Sequence, residues 1–186
     1  MRYEKGTIVL TKLPTLLCSL KKRSLVQIMK ISTVIKFVFS ILPPLAIGAI
    51  SGFYTSKAIP VWYASLNQPS FNPPNWLFGP VWSTLYILMG ISFFMIWQLP
   101  ASEAKRRAFQ IYFIQLALNF AWSFLFFFFK NIGLALIEIM FLLLSIATML
   151  FWFHRVKPLA SFINIPYLLW VTFATCLNAA YYVLNH

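Results

Sequence analysis

Three residues of this 186-residue chain are acidic, Glu4, Glu103 and Glu138, and there is no aspartate. With the two histidines at His154 and His186, no set of His, Cys, Asp and Glu has metal-ligand spacing, and no nucleophile, base and acid combine into a hydrolytic set. Phosphate-cradling glycine loops are missing, and no cofactor is expected. Two kinds of group remain. One is Glu138, set in the middle of an apolar run, where a charge facing lipid costs about 3 kcal/mol. It is expected to face the interior, protonated or hydrogen-bonded, and reads either as an interhelical tie or as a proton site or ligand anchor. The other is a set of mixed aromatic and amide stripes at helical spacing: Trp82, Tyr86 and Met89; Gln115, Asn119, Trp122 and Ser123; Trp170, Ala174, Asn178 and Tyr181. Such stripes suit a flat, largely apolar ligand held by a few polar contacts. They also suit ordinary core packing, because buried Asn and Gln commonly tie membrane helices together.

The elements that must carry these stripes are transmembrane helices. The chain is 61% hydrophobic and 10% charged, with a mean hydropathy of +0.79, more apolar surface than a soluble domain of this size can bury. A bilayer core needs roughly 20 apolar residues per helix. Five windows qualify: 33–54, 78–97, 109–129, 132–153 and 162–184. Breaks rich in Pro, Asn or charge separate them, whereas a transmembrane barrel shows short alternating segments. The expected fold is an all-α integral membrane protein, a single five-helix bundle over residues 29–186. Pro43 and Pro44 are expected to kink the first helix, with neighbours satisfying the freed carbonyls.

The net charge of +12 does not point to nucleic acid, because the basic residues sit in short tracts beside apolar helices. Eight of the fifteen Lys and Arg lie at or before Lys36, three are Lys105, Arg106 and Arg107, and two are Arg155 and Lys157, leaving Lys57 and Lys130 for the other side. The positive-inside rule then puts the N-terminus, second loop and fourth loop inside, and the first loop, third loop and C-terminus outside. Cys18 and Cys176 make no disulfide framework. Residues 1–28 lack a signal-peptide pattern. Met29-Lys30 before an apolar helix reads as an ordinary start, which makes residues 1–28 a basic extension, disordered or absent from the mature chain. Trp62, Trp76 and Trp97 fall near interfaces, where aromatic belts account for them. Ala117 and Ala121, and likewise Gly48 and Gly52, form small-xxx-small patterns that allow close helix approach. The alanine pair lies nearly opposite the Asn119 and Trp122 face, so a homodimer through Ala117 and Ala121 is expected.

From Trp62 to Gly90 the sequence runs W-Y-x-x-L-x-x-P-S-F-x-P-P-x-W-x-F-G-P-V-W-x-x-L-Y-x-x-M-G, and from Pro166 to Asn178 it runs P-Y-L-L-W-V-T-F-A-T-C-L-N. Together these resemble the translocator protein family, also called tryptophan-rich sensory proteins or peripheral-type benzodiazepine receptors. The resemblance implies a five-helix bundle that binds porphyrins, haem-related tetrapyrroles and synthetic benzodiazepine or isoquinoline ligands in a cavity beneath the first loop. It places ligand contacts at Tyr63, Trp82, Tyr86, Asn119, Trp122, Trp170, Ala174 and Asn178, and an acidic residue is usual at the place of Glu138.

The departures carry information too. Gln68-Pro69 stands where the family usually has Lys-Pro, and Phe71 where a Trp is usual. Tyr181 and Tyr182 are followed by Val, Leu, Asn and His rather than by the basic pattern proposed for cholesterol, a weak signal in itself, so cholesterol binding loses its support. The function implied is a porphyrin-binding sensor or transporter in a bacterial cytoplasmic membrane. Two alternatives stay open: light-dependent porphyrin breakdown through Trp82 and Trp170, and a scaffold whose ligand shifts a partner interaction.

Overall fold

The computed structural model describes residues 31–186 in full and, before them, the helical course of the backbone from Glu4. The expectation of an extension over residues 1–28 therefore falls on residues whose side chains are not described. The chain divides into two units, Met1–Val38 and Phe39–His186. In the first, residues 31–38 are helical and bear exposed apolar side chains such as Ile31, Val34 and Ile35. The site belongs wholly to the second.

The elements are α1 (Glu4–Ala58), α2 (Phe78–Trp97), α3 (Glu103–Ser123), α4 (Ile132–Val156), α5 (Pro158–Phe162) and α6 (Ile165–Leu184), with no strand among the described residues. Five segments are long and apolar enough to cross a bilayer, Ile31–Tyr63, Asn75–Trp97, Glu103–Phe128, Ile132–Val156 and Pro158–Leu184, which is the five-helix bundle expected. α1 runs through Pro43 and Pro44 without interruption.

The ends differ from the sequence expectation for local reasons. The first span does not stop at residue 54, because a π-helical turn, Ile59–Tyr63, continues α1. This places Tyr63 on the first span rather than in the loop. Pro80 sits in the first turn of α2, where the missing N–H leaves no helical bond unmade. α3 starts at Glu103 rather than 109, since Ser102 Oγ accepts the Lys105 N–H at 3.1 Å and caps it. Lys105 Nζ donates in turn to the carbonyls of Trp97, at 2.8 Å, and Leu99, closing the end of α2. Lys130, at φ 55°, reverses the chain into Asn131, whose side chain caps α4 through the Leu134 N–H at 2.9 Å. Pro158 and Pro166 open α5 and α6.

Polarity is distributed as a membrane requires. Val183, Leu144 and Leu169 are 75%, 65% and 64% exposed, whereas Gln115, Asn119 and Asn178 are buried. α3 packs along α4, and α4 along α6, with α2 against α3 and α5. α1 crosses α2 closely at two glycines. A Cβ on Gly90 would lie 2.9 Å from Ile41 Cα, and one on Gly48 would lie 2.5 Å from the Tyr86 ring, so neither position admits a side chain at this helix separation.

Candidate functional site: an aromatic cavity between the first three helices

The three stripes do face one another, and their polar atoms are largely spent on holding the bundle. Tyr86 Oη donates to Asn119 Oδ1 at 2.7 Å, Asn119 Nδ2 donates to Tyr167 Oη at 3.1 Å, and Tyr167 Oη donates to Gln115 Oε1 at 2.9 Å. This chain ties α2, α3 and α6 together at one level. A second tie lies nearer the first loop, where Trp122 Nε1 donates to Asn178 Oδ1 at 3.1 Å and Asn178 Nδ2 donates to the Ile132 carbonyl at 3.0 Å. In a medium without water each such group needs a protein partner, and these amides find one another.

Between α1, the start of α2 and the end of α3 lies a cavity of about 680 Å³, within the usual range for small-molecule sites, about 300–1,000 Å³. One wall is aromatic. Trp82 stacks on Tyr86 with ring centroids 5.5 Å apart and an interplanar angle of 27°, and Trp122 lies 6.4 Å from Trp82 at 30°. The three clustered rings make this wall aromatic, and an aromatic face of this kind accepts an offset-stacked π system. The facing wall is α1, where Gly48, Ser51, Gly52 and Thr55 recur at i, i+3, i+4 and i+7. A Cβ on Gly52 would meet nothing within 4 Å: small residues keep this side open. Asn75 and Trp76, at the end of the first loop, complete the lining, which contains no charged side chain.

The residues implied as ligand contacts thus separate into groups. Trp82, Tyr86 and Trp122 line this cavity. Tyr63, Trp170, Ala174 and Asn178, again with Trp82 and Trp122, surround a much smaller space of about 20 Å³, little more than one water molecule needs. Asn119 lines neither and is engaged at both ends of its amide. Tyr63 Oη donates to Asn72 Oδ1 at 2.7 Å, and Asn72 Nδ2 to Gln68 Oε1 at 3.1 Å, so the residue in the usual lysine position is tied into the first loop.

The α1 wall was missed as a site in the sequence. Its signal was present as the Gly48 and Gly52 pair, which reads as a helix-packing pattern until the structure shows that Gly48 touches Tyr86 while Gly52 borders open space. Trp76, assigned to the interface belt, is 71% exposed and also edges the cavity. Glu138 is half-buried on α4 and does not line the cavity; both carboxyl oxygens are buried and lack a hydrogen-bond partner. An interhelical hydrogen bond therefore does not account for it. Ala117 is exposed and Ala121 half-buried on the outer face of α3, away from the site. Among the described residues no group of His, Cys, Asp and Glu is arranged to hold a metal ion.

Comparison with known proteins gives a consistent result. Residues 40–184 match the TspO/MBR family. The chain is 42% identical to the tryptophan-rich protein TspO of Archaeoglobus fulgidus over 154 residues, 82% of this chain and 98% of that protein. It is 35% identical to the translocator protein of Homo sapiens over 150 residues, 80% of this chain and 88% of that protein. It is 38% identical to the tryptophan-rich sensory protein of Cereibacter sphaeroides over 117 residues, 63% of this chain and 72% of that protein.

Proposed function

The chain belongs to the TspO/MBR family, and on that premise we propose that it is a membrane receptor or carrier that binds porphyrins and related flat tetrapyrroles in the cavity between α1, α2 and α3. The observation that carries this reading is the pairing of the Trp82, Tyr86 and Trp122 wall with the small-residue face of α1 across about 680 Å³. A planar ligand stacks on the first and is given room by the second. Synthetic isoquinoline and benzodiazepine ligands, also flat and mostly apolar, suit the same space. The binding step requires neither metal nor nucleophile.

The test is a titration of the full chain in detergent with protoporphyrin IX in the dark, read by tryptophan quenching. Trp82→Leu removes part of the stacking wall, worth about 0.5–1.5 kcal/mol beyond area burial, and is expected to weaken binding roughly tenfold. Gly52→Phe fills the open side and is expected to abolish it. Trp97→Leu, outside the lining, serves as the control. Equal affinities for all three variants and the parent would overturn the cavity assignment. Repeating the titration in light separates binding from porphyrin breakdown, which predicts a loss of the porphyrin absorbance band.

A further inference from the structure

We propose that Ser51 determines specificity in this cavity, its hydroxyl being reserved for an oxygen atom on the edge of the flat ligand; the inference rests on the cavity reading above. Ser51 is 5% exposed, borders the cavity, and its Oγ is buried without a hydrogen-bond partner in the protein. Among the described serines and threonines, Ser51 is the one whose hydroxyl is both buried and unpaired. The hydroxyls of Thr84, Ser92, Ser145, Thr148, Thr172 and Thr175 each fold back onto a carbonyl three or four residues earlier in their own helix, at 2.7–2.9 Å. This back-bonding is the ordinary way a helical hydroxyl is satisfied in apolar surroundings. Ser51 does not use it, and a buried hydroxyl left unpaired is costly.

Three other polar groups on the same walls are already committed. Tyr86 Oη is bonded to Asn119, Trp122 Nε1 to Asn178 and Ser56 Oγ to the Phe53 carbonyl. The lining has no charged side chain, so recognition of a ligand oxygen here falls to a neutral donor. Ser51 is also held in place, because Gly48, one turn before it on the same face, abuts the Tyr86 ring and sets the separation of α1 from α2. The ligand class that answers this arrangement is a planar macrocycle with a carboxyl or carbonyl oxygen at its rim, its rings on Trp82 and Tyr86 and the oxygen accepting from Ser51.

The test compares protoporphyrin IX, which carries carboxyl side chains, with etioporphyrin, the same macrocycle bearing only alkyl groups. The full chain in detergent and its Ser51→Ala variant are titrated with both in the dark. A site built to hydrogen-bond an oxygen rejects the analogue that lacks it. The parent is expected to bind protoporphyrin about tenfold more tightly than etioporphyrin, and Ser51→Ala to lose about tenfold for protoporphyrin with etioporphyrin unchanged. Unchanged etioporphyrin binding also shows that the variant is folded. Equal losses for both porphyrins, or none for either, would overturn the Ser51 assignment while leaving the cavity reading intact. A parent that binds neither porphyrin overturns the cavity reading and this inference with it.

Discussion

Asn67 and Asn185 are joined twice across 118 positions of sequence: the Asn67 N–H donates to Asn185 Oδ1 at 2.9 Å, and Asn185 Nδ2 donates to the Asn67 carbonyl at 3.1 Å. Asn67 Nδ2 adds a bond to the Leu184 carbonyl at 3.2 Å. The first loop is thereby fastened at its start to the end of α6, while Tyr63 and Gln68 hold its middle through Asn72. Asn185→Ala removes both side-chain bonds to Asn67. It is expected to speed amide hydrogen exchange over residues 66–72 by about tenfold while changing global stability by about 1 kcal/mol or less, since the contact is exposed. Unchanged exchange in that segment would show that the asparagine pair does not restrain the loop.

Gly48 and Gly52 are expected to respond oppositely to the same substitution. Alanine gains about 1 kcal/mol over glycine in a helix interior, but at residue 48 the new methyl would lie 2.5 Å from the Tyr86 ring, which is held by Trp82 and Asn119. Overpacking of this kind costs about 1–3 kcal/mol. Gly48→Ala should therefore lower the thermal midpoint in detergent and Gly52→Ala leave it level or raised. Similar midpoints for the two variants would mean that α1 and α2 do not meet closely at Gly48 and Tyr86.

The positive-inside rule predicts an orientation in which the basic residues divide thirteen inside and two outside. In a cysteine-free background, cysteine at Asn67 should label from outside with an impermeant reagent and cysteine at Ser102 from inside. The reverse pattern would turn the bundle over.

We propose the outer face of α3 as a homodimer interface. Ala117 and Ala121 lie on it, exposed and half-buried respectively, and side chains this small permit helices to approach closely. Replacing both with Leu is expected to shift the dimer toward monomer when mass is measured in detergent. A double variant with the parent's oligomeric state would place the contact elsewhere.

The second helix was legible to the residue: the window 78–97 is α2, Phe78–Trp97, because Pro-rich sequence precedes it and Gln98 to Pro100 follows a mostly apolar run without charge. The first and third were less so. Apolar content marks where lipid begins, whereas a helix ends where its last backbone groups find partners. The Ser102 cap and the π-helical turn at Ile59–Tyr63 are decided by such partners, which hydropathy does not register.

A five-span all-α membrane protein, its stripes of Trp, Tyr, Asn and Gln, and its family were legible from residue order alone, because composition, helical period and motif order are local properties of the chain. What each stripe contacts depends on how the helices pack. Asn119 and Asn178 look alike as polar groups on apolar helices, and only the approach of Tyr86, Tyr167, Trp122 and Ile132 turns them into bundle ties. Gly52 and Ser51 became a cavity wall through the separation of α1 from α2, set where Gly48 meets Tyr86. That separation depends on side chains far apart in sequence, and no single helix carries it.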